Sequence, residues 1–207
     1  MPFLAASGGF TRYRLTDPVP DGLWAEIPKR LKDNAFRDID ATADERSFGW
    51  VSLDDWLDPE FAAAPPEKGQ YLAFTLRLDT RRVSPAVFKK HLQIAVNEYL
   101  SGIDDPAKRF VSKGRKQELK EQVALRLRAR SLPVPAVFDV VWNTASGVIL
   151  LATTNAKIRS LFEDHFLATF ELNLEPQTPF FLASRLLGEE AVSRLENLEP
   201  TNFAAGA

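Results

Sequence analysis

Nine cationic side chains crowd one short stretch of this sequence. Lys108, Arg109, Lys113, Arg115, Lys116, Lys120, Arg126, Arg128 and Arg130 fall within 23 residues, against only Glu118 and Glu121. A segment of net charge +7 attracts polyanions, whereas the remaining residues, with 17 cationic and 26 acidic side chains, repel them. Arginine outnumbers lysine by five to four in the stretch, and the guanidinium fork suits phosphate oxygens. Few acids stand at helical spacing to neutralise the run. Phe110 is its one aromatic residue, so contacts should run to phosphates with little stacking or base readout. The plain alternative is a solvated helix face.

Other reactive chemistry is sparse. Cysteine is absent, which removes disulfides, thiolate nucleophiles, Cys-ligated zinc and iron–sulfur clusters. Two histidines, His91 and His165, are too few for a His-rich metal site and read as packed or half-exposed helix residues. The sequence holds no Gly-x-Gly-x-x-Gly, Walker-type loop, His-Glu-x-x-His or Gly-x-Ser-x-Gly motif. Glu118-Leu-Lys120 matches half of a nuclease Glu-x-Lys pattern, with Asp104 or Asp105 as a conceivable partner. Such nucleases carry that triplet on a strand, and here it lies in the most helical stretch. Asp54, Asp55 and Asp58 could hold a hard cation, but a solvated turn is the simpler reading. Trp24, Trp50, Trp56 and Trp142 read as core or interface anchors. The expectation is a binding protein with no catalytic residue, cofactor or metal.

The elements that position the basic stretch follow from periodicity and caps. Gly9–Leu15, Ser47–Leu53 and Gln70–Leu78 read as strands, the last with one buried face. Asp21 is the expected N-cap of a helix to about Asn34, with Pro28 kinking it or shifting its start. Ala62–Lys68, with Pro65-Pro66, reads as a loop. Ser84-Pro85 opens a helix that Ser101-Gly102 stops, and Phe88, Leu92 and Val96 mark its apolar side. Ser112 caps a helix to Arg130 with the stripe Leu119, Val123 and Leu127. Strands at Val137–Asn143 and Val148–Thr154 flank a turn, and Asn155 caps a helix bearing Ile158, Leu161, Phe162 and Phe166. Phe170–Leu174 reads as the closing strand. The order is βαββαα then ββαβ, an α+β pattern of antiparallel sheets with packed helices. The expected organisation is an α+β unit over 1–132, a ββαβ unit over 133–187 packed on it, and a C-terminal helix or tail over 188–207.

At 207 residues, 45% hydrophobic and 26% charged, the chain has ordinary globular composition, and its net charge of −2 conceals the polarised distribution. Its longest apolar runs fall far short of the roughly 20 residues of a membrane-spanning helix.

Taken in order, these segments resemble the RdgC family of bacterial recombination-associated proteins over about Gly9 to Leu187. The resemblance is carried by Phe10-Thr-Arg-Tyr-Arg-Leu15, Phe48-Gly-Trp-Val51 and Ser84-Pro85 opening a helix with Lys89 and Lys90. It continues through Lys116-x-x-Leu-Lys-x-x-Val123 and Trp142-x-x-x-x-Gly147 with Val-Ile-Leu-Leu151. It implies a sequence-independent binder of double-stranded DNA, a ring-shaped homodimer, that restrains RecA-promoted strand exchange by occupying the duplex. The expected contacts are Lys89, Lys90, Lys113, Arg115, Lys116, Lys120, Arg126, Arg128 and Arg130, and the expected location is the cytoplasmic nucleoid. The chain reads as a short form lacking the C-terminal portion of longer members. Leu132 stands where longer members carry a phenylalanine that serves dimer contact. A protein-interaction module, its basic helix docking an acidic partner, is the alternative.

Overall fold

The computed structural model describes residues 3, 8–103, 110–188 and 192–199. Lys108, Arg109, Asp104 and Asp105 lie outside these residues, as does the tail from Pro200. Seven strands form one antiparallel sheet. They are β1 (Thr11–Leu15), β2 (Arg46–Ser52), β3 (Glu67–Lys68), β4 (Tyr71–Thr80), β5 (Val134–Asn143), β6 (Val148–Leu151) and β7 (Leu174–Pro176). The order across the sheet is β2-β4-β5-β6-β1-β7, and β3 folds back on the start of β4. The α+β pattern holds, in a single sheet whose strands come from both sides of Pro133. The centre is a ten-residue ladder from Tyr71↔Asn143 to Thr80↔Val134.

One face of the sheet carries the core. Tyr13, Trp50, Leu72, Phe74, Leu76, Val140, Trp142, Ile149 and Leu151 point at two helices, α1 (Leu23–Asp33) and α4 (Ala156–Phe170). These present Leu23, Ile27 and Leu31, and Phe162, Phe166 and Phe170. Spacing of four residues puts each triplet on one helical face. Trp50 is fixed by a bond from its Nε1 to Thr169 Oγ1 at 2.8 Å and by the His165 ring, centroids 4.6 Å apart. Burial lowers the His165 pKa, so this imidazole packs in its neutral form.

Three local expectations are corrected, and Pro28 does not set the start of its helix. Asp21 does not cap α1; the N-cap is Gly22, with no side-chain bond. The helix runs through Pro28, where the fully buried Ile27 and Leu31 hold it against the core. The closing strand starts at Leu174, because Thr169 and Phe170 complete the buried face of α4. β4 is buried on both faces. On its second face Arg77 grips Asp79 through two bonds of 2.7 and 2.9 Å beneath the rings of Phe36 and Trp56. The covering loop comes so close that a Cβ on Gly49 would lie 2.4 Å from the Phe36 nitrogen. A helix absent from the expected order, α5 (Pro179–Leu187), follows β7, and α6 (Val192–Glu196) follows it. Among the described residues no helix is long and apolar enough to cross a membrane.

Candidate nucleic-acid interface

Two further helices, α2 (Pro85–Ser101) and α3 (Lys113–Arg130), leave the sheet at the end of β4 and return at the start of β5. Ser112 Oγ accepts the Arg115 amide at 3.2 Å, satisfying one of the orphan donors of the first turn of α3. Leu119, Val123 and Leu127 form the buried stripe that the spacing predicts. The side of α2 bearing Phe88, Leu92, Val96 and Tyr99 is half-buried, and no α2 residue is fully buried. The pair is therefore an arm projecting from the sheet.

Polar contacts fix the base of the arm. The buried Arg81 guanidinium donates to the carbonyls of Arg128 at 2.8 Å and Asp40 at 3.1 Å, and to those of Ser131 and Ile39. Arg128 in turn pairs with Glu45 at 2.7 Å. Neither Arg81 nor Glu45 is legible as a site residue in the sequence, since each acts across roughly fifty residues or more.

The nine expected contact residues all lie on this arm, but they do not form one surface. Lys113, Lys116 and Lys120 line a shallow groove with Gly114 and Gln117. Arg115 and Arg126 lie on the opposite flank, in a groove that Glu98, Tyr99 and Gln122 also line. Arg115 is held by Glu118 at 2.6 Å and lies over the Tyr99 ring at 5.0 Å. Lys89 and Lys90 are exposed on α2, and Arg130 is exposed at the end of α3. Among the described residues, Arg115 and Arg128 are ion-paired, and the other seven expected contacts have no carboxylate partner. Phe110, at the entry to α3, is 73% exposed.

The remaining candidates serve structure. Asp54 pairs with Lys68 at 2.7 Å, Asp55 accepts the Leu57 amide, and Asp58 accepts those of Glu60 and Ala63. These carboxylates shape a turn, and among the described residues no group of three or more His, Asp or Glu is placed to hold a metal ion. Trp50 and Trp142 are buried, Trp24 packs on Trp142 and Trp56 caps Arg77.

One antiparallel sheet, helices on its core face and a helical arm rich in cations define an α+β protein. Residues 10–175 match the RdgC family model, described as "Putative exonuclease, RdgC". The chain belongs to the RdgC family, whose members are recombination-associated DNA-binding proteins. No curated protein matches it.

Proposed function

We propose that this protein binds double-stranded DNA without sequence preference and, as a homodimer occupying the duplex at the cytoplasmic nucleoid, restrains RecA-promoted strand exchange. The observation that carries the reading is the arm, where seven of nine expected contacts are cations without a carboxylate partner among the described residues. An unneutralised cationic row lowers helix stability in the free protein and gains its favourable partner when phosphates displace their counterions. Self-association is supported by apolar surface at the base of the arm, where Leu132 is 79% exposed beside the exposed Val134. A mobility-shift titration on two unrelated duplexes tests the reading. Equal affinities that fall steeply between 50 and 200 mM salt are expected, at about 0.9 log units per log unit of salt for each neutralised phosphate. Salt-insensitive binding, or none at low salt, contradicts it.

No catalytic step is included. The Glu118 carboxylate of the Glu-x-Lys triplet is engaged by Arg115 on the exposed side of a helix. A linear duplex incubated with the protein and Mg²⁺ should keep its length. Shortening that Glu118→Ala abolishes would overturn the non-enzymatic reading and favour the activity in the family description.

The exposed Val87, Ile94 and Leu125 on the arm favour a second reading, a protein partner that is acidic and partly apolar. Association with such a partner that survives nuclease treatment would separate it from binding bridged by DNA.

A further inference from the structure

We infer that duplex phosphates are held by one flank of the arm, the lysine row Lys113, Lys116 and Lys120, and that Arg115 and Arg128 shape the arm instead of touching DNA. This assignment rests on the DNA-binding reading above and divides six of the nine expected contacts by role.

The row is built by spacing. Steps of three and four residues place the three lysines on one flank of α3. Seven residues of helix rise about 10 Å, which matches about three phosphates along one strand at 3.4 Å of axis each. All three side chains are exposed and line the same shallow groove. None has an acid three or four residues away on either side, and none is ion-paired among the described residues. Gly114 and Gln117, which share the groove, bring no charge to it.

The arginines are differently placed. Arg115 is occupied by Glu118 at 2.6 Å and by the face of Tyr99, so it ties the end of α2 to the start of α3. Arg128 is occupied by Glu45 at 2.7 Å, and its carbonyl receives Arg81. Contact with a phosphate would require each to leave a carboxylate. Among the described residues Arg126 has no such partner, but it shares its groove with Glu98, which lowers the positive potential there.

The test compares the salt dependence of duplex binding, by fluorescence anisotropy between 50 and 200 mM salt, for the full chain and three variants. Lys113→Gln, Lys116→Gln and Lys120→Gln together should flatten the slope of log K against log salt by about 2.7 per protomer, three contacts at about 0.9 each. At 0.1 M salt that corresponds to about 500-fold weaker binding. The triple lysine-to-arginine variant should keep the slope. The double variant Arg115→Gln, Arg128→Gln should also keep it while melting at a lower temperature. An unchanged slope in the triple glutamine variant, or a slope lost in the arginine double variant, overturns the assignment while leaving DNA binding intact. Absence of binding by the unaltered chain at 50 mM salt overturns both.

Discussion

Replacing Arg81 by alanine should loosen the arm where it joins the sheet. The guanidinium is buried at 7% exposure and serves four carbonyls, two from the end of α3 and its C-cap and two from the loop at Ile39–Asp40. Two of the four have other donors: Arg128 O accepts the Ser131 amide at 3.0 Å, and Ile39 O accepts the Thr42 amide at 2.9 Å. Among the described residues, the carbonyls of Ser131 and Asp40 have no other donor. Asp40 is exposed and the Ser131 carbonyl is only partly buried, so each orphaned carbonyl costs toward the lower end of about 1–3 kcal/mol. Water entering the vacated space, and the loss of a buried Arg81 Nε that itself has no partner, reduce the total. A net loss of about 2 kcal/mol is expected, a fall in melting temperature of about 4–8 °C for a chain of this size. Circular dichroism reads the melt, and hydrogen exchange should show faster exchange at the amides of residues 127–131. Arg81→Lys should fall between the two, since an ammonium reaches fewer of the carbonyls. A variant Arg81→Ala that melts with the native chain, with unchanged exchange at the end of α3, would refute the reasoning.

Three further outcomes follow from the core. Asp139 is buried, and burial raises its pKa above the ordinary 3.8 although the Thr75 hydroxyl donates to it at 3.1 Å. Its contribution to stability is complete below about pH 4 and is lost as pH rises through the elevated folded value. Asp139→Asn should therefore raise the urea midpoint at pH 7 and leave it unchanged near pH 3.5; equal midpoints at pH 7 would contradict this. His165 has the opposite sign: burial lowers its pKa, so its contribution is present above 6.5 and is lost as pH falls through the folded value. His165→Phe should reduce the loss of stability between about pH 7 and pH 5, checked by the same titration. Gly49→Ala would set a Cβ 2.4–2.5 Å from the backbone at Ala35 and Phe36 and should destabilise by about 2–3 kcal/mol in denaturant unfolding.

What the sequence makes legible is what neighbours decide. Ser112 and the stripe Leu119, Val123 and Leu127 announce α3 because cap and periodicity are local, and the basic run is visible for the same reason. The second buried face of β4 is not, since its cover comes from a loop some forty residues earlier, with Phe36 over Arg77. The closing strand was displaced because Phe170 and Leu172 fit a strand alternation, while Phe170 gains more by extending the face that meets Trp142. A signal for α5 was available: Thr178-Pro179 repeats the Ser84-Pro85 start, and Thr178 Oγ1 accepts the Phe181 amide. In the candidate site, residue type pointed to phosphate, but the division between free and engaged cations depends on Glu45 and Tyr99. Those partners reach the helix only through tertiary packing.

The claim that the arm is the DNA surface is tested most directly by mapping lysine acylation, read by mass spectrometry, with and without a saturating duplex. Lys113, Lys116 and Lys120 should be protected by the duplex, whereas Lys32 on α1 and Lys157 on α4, both exposed on the body, should label equally in both samples. Protection of Lys32 or Lys157 with undiminished labelling of the arm would contradict the account.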